Sequence, residues 1–324
     1  MRAVLCESSD DLGGVVLTEV PDPVAGPGQV VVDIEAASVE FVDTLIMTGR
    51  YQIKIPPPFI PGNNLAGTVR SVGEGVETLA VGDRVHGMAF MGAFAERVSV
   101  AASQMRRTPD GLGADAACLT GSTYRTAYDS VVTTGSVSAG DDVVILGAAG
   151  AVGSAAITIA KALGARVIAC ASSQEKLEFC ESLGADETVR YGDDDFKSQL
   201  KALCPNGVDV VLDMVGGPYS EPALRAVGYG GRFIVVGFAA GDIPRVPLNL
   251  VLLKGSTITG YEIASFERNH PDIAEQNRTQ MESMLASGAL IPPISARYRL
   301  VDALEAIRVV AGRDKLGMTI LEMT

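Results

Sequence analysis

Residues 143–153 read VVILGAAGAVG, an apolar strand that runs into a glycine turn and then into a helix. Glycine permits a tight turn and lets backbone N–H groups approach a pyrophosphate at the positive end of the following helix. The spacing is G-x-x-G-x-x-G and not G-x-G-x-x-G, but the physical requirement is the same. A turn that merely connects strand and helix is the alternative. The flanking strand and helix favour a dinucleotide site at this turn, with Gly150 as one of its contacts.

The chain around this turn alternates strands and helices from about Gly121. The pattern predicts strands at residues 142–146, 166–171, 208–214 and 232–236, with helices at 152–163, 174–183 and 196–203. Such alternation implies parallel βαβ units with right-handed crossovers. The first third of the chain is β-rich, and after about Lys254 the alternation stops. The two ends could form one domain that the α/β segment interrupts.

The end of the second predicted strand bears on which dinucleotide is bound. NAD sites usually place Asp or Glu about 20 residues after the glycines, on the ribose 2′-OH. Here the strand ends in Ala171, Ser172 and Ser173, without an acid, and Lys176 follows in the first turn of a helix. Hydroxyls, a helix N-terminus and an ammonium suit a 2′-phosphate. Ser172 and Glu175 also fit a capping box, which is compatible with phosphate binding. The sequence therefore predicts NADPH.

The composition of the 324 residues excludes several classes of partner. Lys and Arg number 26 against 39 Asp and Glu, a net charge of −13, which argues against nucleic acid or an anionic membrane. Five scattered cysteines and two histidines indicate neither a disulfide framework nor a His-rich metal site. The chain opens without a signal-peptide pattern, so a cytoplasmic location is predicted. The uncharged stretch 143–160 is better explained as a buried strand, turn and helix than as a membrane span.

Further stretches complete the pattern: FVDTLIMTGRY (41–51), PFIPGNNLAG (58–67), VGDRV (81–85), AAGAVG (148–153), DMVGG (213–217) and LNLVLLKG (248–255). On these residues the chain resembles the zinc-independent medium-chain dehydrogenase/reductase family, in its NADPH:quinone oxidoreductase (zeta-crystallin-like) branch. The resemblance implies an α/β fold: a doubly wound Rossmann NADPH-binding domain at 123–256, and a GroES-like β-rich catalytic domain formed by 1–122 and completed by 257–324. It also implies a cleft between the domains and a homodimer joined at the edge of the Rossmann sheet.

The resemblance also implies cofactor contacts in addition to Gly150. The residues at the matching positions are Thr126, Ala151, Val152, Ser172, Ser173, Lys176, Tyr191, Gly237 and Phe238. Tyr191 would lie near the adenosine phosphate, and an ordinary half-buried aromatic is the alternative. The family usually has Asn where this chain has Glu40. We predict that Glu40 affects cofactor binding, and a solvent-facing carboxylate without a role is the alternative.

The candidate chemistry follows from the residues at 62–64. Zinc-dependent relatives carry Gly-His-Glu where this chain reads Gly62-Asn63-Asn64, and Asn is a poor zinc ligand, so no catalytic zinc is expected. Without a Lewis acid, reduction of a conjugated acceptor is easier than alcohol oxidation, because the substrate itself delocalises the charge. Tyr51 is the candidate catalytic donor, by likeness to a tyrosine near the cleft of related enoyl reductases; a packing role fits equally.

The predicted function is hydride transfer from NADPH to a small-molecule quinone. An enoyl or enone reductase is the closest alternative. A protein that binds NADPH with little turnover is an alternative of another class. Ser122 and Thr123 are not expected to act as nucleophiles, since no His or acid accompanies them in the sequence.

Overall fold

The computed structural model describes residues 1–192 and 195–323, and the chain divides into two compact units. Unit 1 comprises Met1–Thr123, Glu282–Gly288 and Ile294–Thr324. Unit 2 comprises Tyr124–Met281 and Ala289–Pro293. Within the described residues, no helix combines the length and apolar character needed to cross a bilayer.

Both units contain strands and helices, which are numbered in chain order. The strands are β1 (Arg2–Cys6), β2 (Val15–Glu19), β3 (Gln29–Val39), β4 (Asn64–Val72), β5 (Arg84–Met88), β6 (Arg97–Ala101), β7 (Met105–Arg107), β8 (Asp142–Leu146), β9 (Arg166–Ala171), β10 (Glu187–Arg190), β11 (Val208–Asp213), β12 (Val227–Val235), β13 (Thr257–Gly260), β14 (Ile294–Arg299) and β15 (Met318–Glu322). The helices are α1 (Phe41–Met47), α2 (Ala114–Ala117), α3 (Thr123–Asp129), α4 (Ala151–Ala162), α5 (Gln174–Ser182), α6 (Phe196–Leu203), α7 (Ser220–Ala226), α8 (Asn249–Lys254), α9 (Ile263–Asn269), α10 (Pro271–Ala286) and α11 (Ala303–Ala311).

Unit 1 is built around the long strand β3. A seven-stranded sheet runs in the order β14-β15-β3-β4-β5-β7, with β6 also paired to β3, and β1 and β2 form a separate antiparallel pair. Apart from the parallel pair β14 and β15, the neighbours in the larger sheet are antiparallel. The sheet residues bury an apolar core together with α11, including Val30, Val32, Leu65, Val85, Phe94 and Ile307. This is the β-rich unit that the first third of the sequence predicts.

Unit 2 is a doubly wound α/β unit. Its six strands are parallel and run in the order β10-β9-β8-β11-β12-β13, so the first strand lies in the middle and the order reverses beside it. In open sheets of this kind ligands bind at the carboxyl ends of the strands, at that reversal. Residues 143–146 of β8 are fully buried, as expected for a strand with helices on both faces. The predicted fold class is confirmed.

The second domain boundary differs from the prediction. The chain leaves unit 1 after Thr123, one residue from the predicted position, but it returns at Glu282 instead of residue 257. The reason is that β13 pairs in parallel with β12 and so becomes the sixth strand of the sheet in unit 2. The next residue after β13, Tyr261, is buried and donates through its hydroxyl to Asp129 Oδ2 at 2.7 Å, which fixes it within the same unit.

Two strands of unit 2 differ from the sequence prediction. Strand β12 begins at Val227, five residues before the predicted start at residue 232. The prediction is short because the glycines at 228, 230 and 231 are typical of a loop. The sequence pattern does not predict strand β10. This strand has only four residues, and only one of them, Val189, is apolar and buried, so the hydrophobic pattern is too short to indicate a strand. The predicted strands at 142–146 and 166–171 coincide with β8 and β9.

Candidate functional site

The glycine turn between β8 and α4 is closely packed. Gly147 has a φ of 76°, a backbone conformation that favours glycine. At Gly153 a Cβ atom would lie 2.3 Å from the Gly147 carbonyl oxygen and 2.8 Å from Ala148 Cα. The turn also contacts the end of β9, because the backbone N–H of Gly147 donates to the Cys170 carbonyl oxygen at 3.1 Å.

The start of α4 is suited to an anion. Gly150 is the N-cap and offers no side-chain cap, and Ala151 and Val152 are the first two helical residues. The first N–H groups of a helix have no partner within it and carry the positive end of the helix dipole. In the described structure the first turn of α4 contains no acidic side chain. These three predicted contacts therefore lie together at one helix N-terminus.

The residues predicted to select the 2′-phosphate also lie together. Ser172 follows β9 directly, and Ser173 is the N-cap of α5, where its hydroxyl accepts from the backbone N–H of Lys176 at 3.4 Å. Lys176 Nζ donates to Ser172 Oγ at 3.2 Å. Two hydroxyls, an ammonium and a helix N-terminus thus meet at the carboxyl end of β9. The predicted capping of α5 is present, but through Ser173 and not through Ser172.

Tyr191 belongs to an aromatic cluster beyond the end of β10. Its ring centroid lies 4.5 Å from that of Tyr219 and 6.4 Å from that of Phe196. Its backbone N–H donates to the Ala171 carbonyl oxygen at 3.1 Å, which places Tyr191 beside the segment that leads to Ser172. Burial raises the pKa of the Tyr191 phenol, so the hydroxyl is protonated at neutral pH.

The remaining predicted contacts in unit 2 lie on two elements. Gly237 follows β12 and donates from its backbone to the Asp213 carbonyl oxygen at 3.1 Å, and the next residue, Phe238, is partly exposed. The Asp213 carboxylate accepts from the backbone N–H of Gly216 at 2.8 Å and from Ser220 Oγ at 2.5 Å, which orders the loop after β11.

Thr126, on α3, is half-buried. This helix begins at the last residue of the first segment of unit 1 and continues into unit 2.

In unit 1, Glu40 is the centre of a hydroxyl cluster. It precedes α1 and is only 7% exposed. Its carboxylate accepts from Ser38 Oγ at 3.2 Å, from Thr123 Oγ1 at 2.6 Å and from Ser122 Oγ at 2.5 Å. The alternative of a solvent-facing carboxylate is therefore wrong. Ser122 and Thr123 do have an acid beside them, which the sequence hides because it lies 82 and 83 positions away.

A second carboxyl group lies beside Glu40. The Glu40 backbone N–H donates to Asp43 Oδ2 at 2.8 Å, which caps the start of α1. Asp43 is fully buried, and its Oδ1 has no hydrogen-bond partner among the described residues. Burial and the adjacent Glu40 carboxylate raise the pKa of Asp43 well above its usual range. The raised pKa favours the protonated form of the Asp43 carboxyl group.

Two asparagines extend the hydroxyl cluster. Asn64 Nδ2 donates to Ser122 Oγ at 2.9 Å and to Asn63 Oδ1 at 2.8 Å. Asn64 is fully buried at the start of β4, whereas Asn63 is half-buried. The sequence singles out both residues as poor zinc ligands and gives no sign of this network, whose members come from three separate segments, 38–40, 63–64 and 122–123.

Tyr51, the predicted catalytic donor, follows α1. Its backbone N–H donates to the Leu45 carbonyl oxygen at 3.1 Å, and its half-buried ring packs against the apolar core of unit 1. Among the described residues, none forms a hydrogen bond with its hydroxyl. The structure thus provides the packing contact and leaves the hydroxyl available to a ligand.

Comparisons with known proteins agree with this architecture. The family model described as "Alcohol dehydrogenase GroES-like domain" matches residues 26–110, and the one described as "Zinc-binding dehydrogenase" matches residues 151–276. A Rattus norvegicus protein named "Quinone oxidoreductase-like protein 2" is 32% identical over 326 residues, which cover 99% of this chain and 92% of that protein. The chain belongs to the medium-chain dehydrogenase/reductase family, in its quinone oxidoreductase branch. This membership makes it an oxidoreductase.

Among the solved structures similar to this medium-chain dehydrogenase/reductase, two name different cofactors. A probable oxidoreductase from Mycobacterium abscessus is 36% identical, with a TM-score of 0.88 and 99% of each chain covered. A mycobacterial protein solved in complex with NADPH is 28% identical, with a TM-score of 0.87 and 99% of each chain covered. An NAD-dependent alcohol dehydrogenase is 30% identical, with a TM-score of 0.85 and 100% of each chain covered. The choice of cofactor therefore depends on this chain's own residues.

The zinc in one family description does not fit the donor set of this medium-chain dehydrogenase/reductase. Across residues 1–192 and 195–323, no group of three or more His, Cys, Asp or Glu side chains is placed to hold a metal ion. At Gly62-Asn63-Asn64 the Asn64 amide instead donates to Asn63 Oδ1 and to Ser122 Oγ. A zinc site needs thiolate, imidazole or carboxylate ligands, so we derive no step through zinc.

Arg190 is a further candidate for phosphate binding that the sequence pattern did not reveal. It is the last residue of β10, it is exposed, and it pairs in register with Ala171, immediately before Ser172. An arginine near this position accommodates the 2′-phosphate in NADP sites. The sequence signal for this role is a cation directly before Tyr191, on a strand of only four residues that the pattern does not predict.

Proposed function

We propose that this oxidoreductase is an NADPH-dependent reductase that transfers hydride to a quinone. The observation that carries the cofactor choice is the cluster of Ser172, Ser173 and Lys176 at the carboxyl end of β9. The sequence places no acid at the end of this strand to bind a free ribose 2′-OH. The quinone is supported by the names of the relatives, and an enone is the alternative acceptor.

The residues of unit 2 fit the two anionic parts of this cofactor. Gly150, Ala151 and Val152 would hold the pyrophosphate at the start of α4, in a turn where the glycine positions leave no side chain in the way. Ser172, Ser173 and Lys176 would hold the 2′-phosphate through charge-assisted hydrogen bonds. Further contacts are proposed for a set of residues that the structure places on α3, after β10, after β12 and before α1, namely Thr126, Tyr191, Gly237, Phe238 and Glu40.

The bound cofactor supplies the hydride, and the chain must manage the charge and the proton. We propose that Tyr51 delivers the proton to the reduced oxygen. An ordinary phenol is protonated at neutral pH and can donate to an enolate or a phenolate. Packing of its ring against the core of unit 1 would orient the hydroxyl.

A substrate panel tests the function. Purified protein is mixed with NADPH and a series of quinones and enones, and oxidation is followed by the absorbance of NADPH. Turnover of quinones above enones is the expected result. The reverse order would identify an enone reductase, and tight NADPH binding without turnover of either class would identify a binding protein.

Removal of the Lys176 ammonium is expected to reduce cofactor discrimination. Loss of a charge-assisted hydrogen bond costs about 1.5–3 kcal/mol, so we expect the Kd for NADPH to rise by roughly tenfold or more in Lys176→Ala. The Kd for NADH should stay within about twofold, since NADH has no 2′-phosphate. Fluorescence titration measures both constants, and Lys201→Ala, which removes an exposed lysine of α6, is the control. An equal change for the two cofactors would contradict a role in phosphate binding.

Removal of the Tyr51 hydroxyl is expected to slow turnover. General acids contribute on the order of 100-fold or more, so kcat of Tyr51→Phe should fall by about that factor. The KM for NADPH should change little, because the substitution removes only the proton donor. Tyr298→Phe is a matched control, since Tyr298 also packs half-buried against the core of unit 1. If Tyr51→Phe turns over within about twofold of the parent, Tyr51 has only a packing role.

We also propose a homodimer joined at the edge of the sheet in unit 2. Strand β13 is the outermost strand at one side of that sheet. On neighbouring elements Tyr229, Leu252 and Leu253 are 90%, 82% and 72% exposed. Apolar exposure beside an open strand edge is typical of an interface. Light scattering in solution is the test, and a monomer mass at micromolar concentration would oppose the proposal.

A further inference from the structure

A chain of hydrogen bonds runs from the interior of unit 1 to Asn63. It begins at the Glu40 carboxylate, passes through Ser122 and Asn64, and ends at Asn63 Oδ1. The three hydrogen bonds measure 2.5, 2.9 and 2.8 Å in that order. Glu40 and Asn64 are buried, while Asn63 is half-buried, so the chain connects a buried carboxylate to a residue that reaches the protein surface.

The carboxylate sets the direction of every bond in this chain. Glu40 accepts from three hydroxyls, so Ser122 uses its single proton on Glu40 and can only accept from Asn64. The Asn64 amide must therefore turn its NH₂ group towards Ser122, and the second hydrogen of that group goes to Asn63. Asn63 in turn must present its oxygen inwards. The NH₂ group of Asn63 therefore points away from this chain of hydrogen bonds.

The Asn64 amide is closely packed in this position, and its Oδ1 has no hydrogen-bond partner among the described residues. A Cβ atom at Gly121 would lie 1.9 Å from Asn64 Oδ1, so the amide packs directly against the backbone before Ser122. Among the described residues, none accepts a hydrogen bond from the NH₂ group of Asn63. An oriented donor that the protein itself leaves unused is what a developing negative charge on a ligand requires.

We propose that Asn63 is a catalytic residue whose NH₂ group donates a hydrogen bond to the carbonyl oxygen of the quinone or enone. This inference rests on the proposed reduction. As hydride bonds to an electron-poor carbon of the acceptor, the π electron pair moves onto the carbonyl oxygen, which becomes an enolate. With a quinone, the carbon that received the hydride then loses a proton and the second carbonyl oxygen gains one, which restores the aromatic ring of the hydroquinone. Asn63 stabilises the enolate oxygen and keeps its own protons. The proton that completes the reduction comes from a separate donor, for which Tyr51 is proposed.

The location of the network agrees with this assignment. Ser122 and Thr123 are the last residues of unit 1 before the chain passes into unit 2, and both are held by Glu40. Glu40 also stands at the start of α1, the helix that leads to Tyr51. The network thus joins the segment that leads into unit 2 to the segment that leads to Tyr51. Within it, Glu40, Ser122 and Asn64 act as positioning residues for Asn63.

Two substitutions of Asn63 separate catalysis from packing. Asn63→Asp keeps the shape and the oxygen that accepts from Asn64, but it replaces the outward donor with an anionic oxygen. Asn63→Ala removes the donor without adding charge. We expect kcat to fall by about 100-fold in Asn63→Ala, as for loss of an oxyanion-hole donor, and by about tenfold more in Asn63→Asp. The Kd for NADPH and the melting temperature of Asn63→Asp should stay near those of the parent.

A packing role predicts the opposite order, since Asp preserves the shape of the side chain better than Ala does. Near-parental turnover of Asn63→Asp would therefore overturn the proposal. Asn206→Ala, an exposed asparagine of unit 2, is the control for the loss of a surface amide. Glu40→Gln tests the direction of the hydrogen bonds between residue 40 and Asn63. The Gln amide can donate to Ser122, so Ser122 is no longer forced to accept from Asn64. We expect this variant to lose about tenfold or more in kcat, and unchanged kcat would contradict the inference.

A binding measurement distinguishes failure of this inference from failure of the proposed function. If the parent protein reduces neither quinones nor enones, the proposed function fails. Binding of 4-nitrophenolate, measured above the pKa of the phenol and in the presence of NADP⁺, still tests Asn63. We expect Asn63→Asp to bind this anion at least about tenfold more weakly than the parent. Equal binding by the two proteins, or no binding by the parent, would overturn the proposal.

Discussion

Gly153→Ala is expected to destabilise the protein by about 3 kcal/mol or more, which is the upper range for adding a methyl group to a closely packed site. A Cβ atom at this position would lie 2.3 Å from the Gly147 carbonyl oxygen and 2.8 Å from Ala148 Cα. Both are backbone atoms, so no flexible side chain can move aside. Helix α4 would have to shift away from the turn, which would also displace the proposed pyrophosphate site.

Gly150→Ala is the matched control for Gly153→Ala. The same added atom at Gly150 would meet only the Gly147 carbonyl oxygen, at 3.3 Å, and Gly150 has a φ of −76° that alanine adopts readily. Urea unfolding without cofactor, followed by far-ultraviolet circular dichroism, measures both variants. We expect Gly150→Ala to lie within about 1 kcal/mol of the parent. Equal stability of the two variants would show that α4 tolerates a side chain at Gly153.

Glu282→Leu is expected to cost about 3–5 kcal/mol, the effect of removing one partner from a buried ion pair. Glu282 lies on α10 and is buried in unit 1. Its Oε1 accepts from His86 Nε2 at 3.1 Å and from Arg106 Nε at 3.0 Å, which ties the end of α10 that belongs to unit 1 to β5 and β7. His86 is also buried, and its Nδ1 lies 3.1 Å from Thr108 Oγ1. Because its Nε2 is bonded to Glu282, the substitution removes the acceptor of a buried ring nitrogen.

The same substitution is expected to change how stability depends on pH. Burial alone would raise the pKa of Glu282, but the hydrogen bonds and charges of His86 and Arg106 outweigh it and lower the pKa below the ordinary glutamate value. A lowered folded-state pKa contributes stability above the unfolded-state value, and this stability is lost as the pH falls through the folded-state pKa. The difference between parent and Glu282→Leu should therefore be largest at neutral pH and shrink on acidification below about pH 4.3.

Urea titrations at neutral and acidic pH measure this difference. Glu305→Leu on α11 is the control, because Glu305 is an exposed glutamate of the same unit. We expect the control to change the free energy of unfolding by about 0.5 kcal/mol or less. A difference for Glu282→Leu that grows as the pH falls would contradict the assigned pKa direction.

The parts of the fold that the sequence predicts are those with strong local signals. Strands β8 and β9 are continuous apolar runs, and the glycines after β8 mark the turn, so their positions follow from hydrophobic pattern and turn chemistry. The return of the chain to unit 1 at Glu282 has no such signal. It depends on the pairing of β13 with β12 and on the bond between Tyr261 and Asp129, both long-range contacts.

The candidate site divides in the same way. Ser172, Ser173 and Lys176 are neighbours in sequence, so helix geometry alone brings them together, and their contacts could be expected. The network around Glu40 joins side chains that are distant in sequence, and only the pairing of β3, β4 and the segment before α3 assembles it. No local sequence pattern distinguishes a glutamate whose carboxylate accepts hydrogen bonds from three hydroxyl groups from one that faces solvent.

Calorimetric titration of the parent protein with NADPH and with NADH measures whether the hydroxyls of Ser172 and Ser173 and the ammonium of Lys176 bind the 2′-phosphate. We expect a Kd for NADPH that is at least about tenfold lower than the Kd for NADH. Equal affinity for the two cofactors, or tighter binding of NADH, would contradict it.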